Sequence, residues 1–270
     1  MVRNEGDRLK RVIVSTPGEA YFDVSTHRFN NIPELADRDR ALRQHDTLKA
    51  TMREFGAEVL DVPELPGHPN SVFPRDVALC VPDGHVKLRM GLEARRGEEA
   101  WMSAALDSLG NRCVGEIAAP GTVEGGDIIL AGSVAFVGLS GRTNDEGARQ
   151  LARLLVGMGY DVRTVPVART YLHLGGVVSS IGPKRVLCCQ DVFDAGLFRG
   201  FDTVVVEPTG PSSGNVICLG DNEVVANVAE NEPVIREMER QGVYVHALDL
   251  SEFRKGGGGP TCLVLPVERG

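Results

Sequence analysis

Residues 124–148 read EGGDIILAGSVAFVGLSGRTNDEGA, and they hold most of the unit from which the chain is built. Two short apolar runs, "DIILAG" and "VAFVGL", read as strands separated by a glycine turn. A stripe of Ala148, Leu151, Leu155 and Met158 follows at helical spacing, and "VRTVPV" then reads as a third strand. The order is strand, strand, helix, strand.

Working outward, that order recurs. Units begin near Val77, Ile128, Val177 and Val216, at intervals of roughly fifty residues. Their strands are "VALCVP" and "CVGEI"; "GGVVSSI", "RVLCC" and "TVVVEP"; "NVICLG", "EVVAN" and "VYVHAL". Trp101, Ala105 and Leu109 predict one helix face, and Ile235 and Met238 a shorter one that starts at Asn231, just before Pro233. The two chain ends complete a fifth unit. "TCLVLPV" and "RVIVSTP" supply its first strands, residues 33–55 its helix (stripe Leu48, Met52, Phe55), and "AEVLDVP" its last strand. Five such units around an axis predict one closed α/β domain over residues 1–270, with the termini side by side and strand ends converging on a central channel.

Composition narrows the function. The chain is 42% hydrophobic and 24% charged with 32 glycines, which fits a globular protein of short elements and tight turns. A net charge of -8 without any lysine/arginine block argues against nucleic acid or an anionic membrane as partner. "MVRNEGDRLKRVIVSTP" lacks the apolar core of a signal peptide, and "IILAGSVAFVGL" is too short to span a bilayer. Six cysteines form no CxxC pair and no zinc spacing; Cys80, Cys113, Cys188, Cys189 and Cys218 fall in strand runs, as small buried hydrophobes would. The expectation is a cytoplasmic, reduced protein with no metal or other cofactor.

A ring of repeated units brings distant residues together at its axis, so each unit is searched for a polar group near a strand start. "NSVFPRDVAL" offers Asp76, "GTVEGGDIIL" offers Glu124 and Asp127, "TYLHLGGVVSS" offers His173, and "GGGGPTC" offers Cys262. None decides the chemistry alone, since a carboxylate by a glycine is usually a turn residue and a cysteine usually core. Together, a thiol, an imidazole and two carboxylates at equivalent places suit one task. The thiolate is a nucleophile, the histidine moves the leaving group's proton, and the carboxylates hold a cation. A guanidinium fits them, being planar, permanently charged and able to donate paired hydrogen bonds. Attack on its carbon with loss of an amine would leave a covalent S-alkylthiouronium for water to hydrolyse. A phosphate loop is excluded, because a proline and a strand follow the glycines rather than a helix.

At this point the chain resembles a known family, the guanidine-modifying enzymes of the pentein fold, and within them the dimethylarginine dimethylaminohydrolases. The resemblance covers nearly the whole chain and is carried by "VFPRDVAL", "EGGDIILAGSVAFVGLSGRTNDEGA", "TVPVARTYLHLGG" and "GGPTCLVLP". It implies a five-bladed ββαβ propeller with pseudo-fivefold symmetry. It implies Cys262 as nucleophile, His173 as general acid/base, and Asp76 and Glu124 as guanidinium carboxylates, Glu124 also supporting His173. Arg142 in "SGRTN" and Arg95 in "EARRGEE" would grip the substrate's α-carboxylate, and residues 21–33 lie where the family has a mobile lid. Asn70 and Arg75 complete the substrate-binding set and mark departures. The residue before the aspartate is usually acidic in dimethylaminohydrolases, and "PRD" is similar to the "TRD" of arginine deiminases. Asn70 replaces a common aspartate, as in some arginine dihydrolases, whereas Gly175 replaces an aspartate usual in deiminases.

The resemblance therefore implies hydrolysis of a methylated arginine to citrulline and an amine, with arginine deiminase or dihydrolase as alternatives. An amidinotransferase, or a non-catalytic pentein of the ribosome-associated kind, fits less well because Cys262, His173, Asp76 and Glu124 are all present. The expected partner is a small guanidino amino acid, and a homodimer stays open. The glycines at 256–259 exceed what tight packing would need, which predicts a loop that is mobile without ligand.

Overall fold

A computed structural model describes residues 1–23, 25, 28–229 and 231–270. The first elements in chain order are β1 (Leu9–Val14), α1 (Arg38–Glu54), β2 (Glu58–Asp61), β3 (Ala78–Val81), β4 (Gly84–Lys87), α2 (Glu98–Ser108) and β5 (Cys113–Glu116). Next come β6 (Ile128–Ala131), β7 (Val134–Leu139), α3 (Asp145–Gly157), β8 (Asp161–Pro166), β9 (Val178–Gly182), β10 (Arg185–Cys189) and β11 (Asp202–Val206). The chain closes with β12 (Val216–Gly220), β13 (Glu223–Asn227), α4 (Glu232–Arg240), β14 (Tyr244–Leu248), α5 (Ser251–Lys255) and β15 (Leu265–Arg269).

The strands form five three-stranded sheets: β15-β1-β2, β3-β4-β5, β6-β7-β8, β9-β10-β11 and β12-β13-β14. In each, the first pair is antiparallel and the second parallel. A tight turn can join only the antiparallel pair; the parallel neighbour requires a crossover, which is where the helices lie. The innermost strands β3, β6, β9 and β12 are buried at every residue, covered on both faces, and β3, β6 and β12 so read as unbroken apolar runs, while β9 carries the buried Ser179 and Ser180. The outer strands β2, β5, β8 and β14 carry exposed residues instead. β15 packs on β3, β6 on β9, β9 on β12 and β12 on β1, and a bridge between Arg89 and Val123 joins the remaining neighbours. The ring is closed by the two chain ends in one sheet. This is the five-bladed ββαβ pentein propeller.

Three expectations need correction. The crossover from β10 to β11 holds no α-helix among the described residues, only a 3-10 turn at Ala195–Phe198. That connection is short and is bent by Asp191 and Gly200, which take φ of 58° and 96°. The buried face of α2 is Glu98, Glu99, Met102, Ser103 and Leu106, while Leu109 is 43% exposed. The helix is turned because its two carboxylates have buried partners: Glu99 accepts from the Met90 and Gly97 amides (2.8 and 2.6 Å), and Glu98 binds Arg95 (2.9 Å). Cys113, on the outer strand β5, is exposed rather than core. Among the described residues no helix is long and apolar enough to cross a membrane.

Candidate active site

Four of the five inner strands are preceded by a single 3-10 turn: Pro74–Asp76 before β3, Gly125–Asp127 before β6, Leu174–Gly176 before β9 and Pro260–Leu263 before β15. Asp76 and Cys262 sit within their turns, and Glu124 and His173 stand immediately before theirs. Cys262 therefore does not open a strand; β15 begins three residues later. Because the inner strands surround one axis, these four turns meet. Asp76, Glu124, His173 and Cys262 line one cavity, with Asn70, Arg95 and Arg142 on its walls.

The bonding within it is specific. The His173 ring reaches Glu124 Oε2 through Nε2 at 2.8 Å. The other oxygen, Oε1, accepts from the Gly91 and Leu92 amides at 3.0 and 3.1 Å and from Arg142 Nη1 at 3.4 Å. Glu124 thus accepts four bonds, one of which fixes the His173 ring. Asp76 accepts from the Gly126 amide (3.2 Å) and from Arg95 Nη1 (2.6 Å). Gly126 must be bare, since a Cβ there would lie 2.6 Å from His173 Nδ1. The Gly259 amide donates to Cys262 Sγ at 3.4 Å.

These contacts set the protonation states. Burial alone would lower the imidazole's pKa, but Asp76, Asp127 and Glu124 overrule it and lift His173 to about 9. Burial would raise Glu124, yet its bond to His173 and the nearby Arg142 and Arg95 charges hold it below the usual carboxylate range. The Cys262 thiol is pushed up to about 11, chiefly by desolvation and then by Asp76. At neutral pH the site holds a thiol beside an imidazolium.

Other expected site residues fall differently. Asp127 is structural: its oxygens accept from Ser140 (2.6 Å), Thr143 (2.7 Å) and the Leu174 amide (2.9 Å). Arg75 points away from the cavity, donating to Glu5 and the Ile128 carbonyl, both at 2.7 Å. Arg95 lines the cavity, but its guanidinium is buried and committed to Asp76, Glu98 and the carbonyls of Asn70 and Phe73. Its guanidinium is therefore poorly placed to take a further carboxylate, whereas Arg142 makes only the 3.4 Å contact to Glu124 among its side-chain bonds described above. Asn70 is on the wall, its amide donating to the Asn30 carbonyl at 2.8 Å. Of the expected lid, residues 24, 26 and 27 lie outside the described residues; Asn30 and Asn31 line the cavity.

The glycine run has local reasons of its own. A Cβ at Gly258 would come 2.2 Å from the Phe73 ring, one at Gly256 2.8 Å from the Tyr21 hydroxyl, and one at Gly259 2.6 Å from Asn215, while Gly257 takes φ of 83°. Each glycine has its own packing or backbone requirement, so their number does not exceed what close packing needs. Asn215 was missed. It precedes β12 at the place the other units use for chemistry, and it binds Thr261 (2.8 Å) and the Gly175 carbonyl (2.8 Å), which fixes the turn carrying Cys262. The signal was there in "SSGNVICL", a polar residue after glycine at a strand start.

Asp76, Glu124 and His173 also place ligand atoms within 4.8 Å of one another, a spacing that could hold a metal ion. His173 Nε2, however, is engaged with Glu124, and the Arg95 guanidinium already occupies an oxygen of Asp76, so two of the three would have to give up a partner to ligate an ion.

The family described as "N,N dimethylarginine dimethylhydrolase, eukaryotic" matches residues 19–269. The chain belongs to the dimethylarginine dimethylaminohydrolase family. As such it is a hydrolase acting on guanidino carbon–nitrogen bonds. It is 30% identical over 257 residues to the N(G),N(G)-dimethylarginine dimethylaminohydrolase of Pseudomonas aeruginosa, covering 95% of this chain and 99% of that one. An arginine deiminase of Mycobacterium avium is 28% identical over 244 residues, covering 75% of this chain and 60% of the deiminase. Among solved structures, a dimethylarginine dimethylaminohydrolase adduct with S-methyl-L-thiocitrulline superposes with a TM-score of 0.83 at 28% identity, covering 95% of this chain and 99% of that one.

Proposed function

We propose that this dimethylaminohydrolase family member cleaves a methylated arginine to citrulline and an alkylamine through a covalent intermediate on Cys262. The observation that carries the reading is the convergence of Cys262, His173, Glu124 and Asp76 on one cavity. Asp76 draws the substrate's guanidinium toward Sγ, and Arg142 takes the α-carboxylate. The arriving positive charge favours the thiolate, so Cys262 releases its proton as substrate binds. The thiolate adds to the guanidinium carbon, and His173, held as imidazolium, gives its proton to the departing nitrogen. The carbon–nitrogen bond breaks, the amine leaves, and an S-alkylthiouronium remains. Neutral His173 then takes a proton from water as its oxygen bonds to the carbon. Collapse breaks the carbon–sulfur bond and leaves citrulline and the thiolate, the surplus proton passing to solvent.

The deiminase relative and Asn70 keep arginine itself as the competing substrate, so the assay must separate the two. The protein is incubated with dimethylarginine and with arginine, and citrulline, ornithine, dimethylamine and ammonia are identified. Citrulline and dimethylamine from the first substrate are expected. Turnover of arginine with none of dimethylarginine would assign the site to deiminase or dihydrolase chemistry instead.

A further inference from the structure

The substrate carboxylate Asp76 already faces a guanidinium inside the protein, that of Arg95 at 2.6 Å, with both side chains at most 5% exposed. A cation so placed would cancel the attraction a second guanidinium needs. Behind Arg95 stands Glu98, fully buried, whose Oε2 takes Arg95 Nε at 2.9 Å and Nη2 at 2.8 Å. The Asn70 and Phe73 carbonyls also take Nη2, at 3.2 and 3.0 Å, so Arg95 turns only Nη1 toward Asp76. The three charges sum to one negative charge, not zero. Burial would lower the Arg95 pKa, but Glu98 first and Asp76 second raise it, which marks Glu98 as its main counter-charge. Glu98 Oε1 has no hydrogen bond and lies 3.5 Å from His68 Nδ1, at the outer end of the line.

We infer that Glu98 is a positioning residue for guanidinium recognition: it holds and neutralises Arg95, so that Asp76 keeps its charge for the substrate. The inference rests on the proposed reaction. It explains why α2 turns a carboxylate inward where a hydrophobic residue would be expected, and why Arg95 lines the cavity without serving the α-carboxylate. In a Glu98→Gln variant the shape is kept, but Arg95 and Asp76 then cancel each other.

The experiment compares a charged with an uncharged ligand that share the amino-acid end. Dimethylarginine is the cation; citrulline, used as an inhibitor, is neutral. In Glu98→Gln, KM for dimethylarginine is expected to rise by about 10- to 100-fold while kcat stays within about threefold. The citrulline inhibition constant is expected to hold, and Glu98→Asp to restore much of the KM. If dimethylarginine and citrulline weaken together, or KM does not change, the role is overturned and Glu98 is only structural. Wild-type protein that turns over no guanidino amino acid would overturn the proposed function and this role with it. Turnover with an unchanged ratio overturns the role alone.

Discussion

A Cys262→Ser variant is expected to lose turnover of dimethylarginine by about 10⁴-fold or more, equivalent to at least about 5.5 kcal/mol of barrier. The hydroxyl can keep the bond from the Gly259 amide, and the turn stays tied through Thr261 to Asn215, so the fold should survive the change. What disappears is the anion. Desolvation and Asp76 already push the thiol to about 11, and a hydroxyl in the same place is a far weaker acid. Substrate binding through Asp76 and Arg142 should persist. Steady-state rates with calorimetric binding check both parts; undiminished activity would remove Cys262 from the mechanism.

A His173→Ala variant is expected to lose about 10²- to 10⁴-fold in rate, because no other imidazole lines the cavity among the described residues to protonate the departing amine. Glu124 keeps the Gly91 and Leu92 amides and Arg142 as partners, which limits the structural damage. The pH profile carries the same claim. His173, lifted to about 9, stays an imidazolium through neutral pH, while Cys262, lifted to about 11, stays a thiol. The active form therefore needs a proton lost from sulfur and kept on the ring. Below pH 9 the share in that form grows with pH, so kcat/KM should rise about tenfold per unit from pH 7 to 8. kcat should rise less, since the bound guanidinium lowers the thiol's pKa. A kcat/KM that is flat across pH 7–9 would contradict these protonation states.

Much of this is legible in the sequence. The inner strands are largely apolar because they are buried on both faces, so strand order and the fifth unit shared by the chain ends stand out. Asp76, Glu124, His173 and Cys262 were readable because one position, just before an inner strand, recurs in each unit. The rest depended on direction, which residue identity does not carry. Nothing in "PRD" says that Arg75 turns to Glu5, nor in "EARRGEE" that Arg95 turns inward to Asp76. The Arg95–Glu98 spacing of three residues was a usable signal, since such pairs are neighbours at a helix start. The apolar stripe through Trp101, Ala105 and Leu109 misled because Glu98 and Glu99 have buried partners that outweigh it. The packing reason for the glycine run is not legible locally, because it lies in Phe73, Tyr21 and Asn215, far away in sequence.

The central claim is a covalent bond between Cys262 and the substrate's guanidinium carbon. Rapid acid quenching of the protein during turnover of dimethylarginine, followed by intact mass and peptide mapping, tests it directly. The expected result is an adduct of substrate less dimethylamine on the peptide carrying Cys262. Steady turnover with no adduct at any quench time, or an adduct on exposed Cys113 instead, would contradict it.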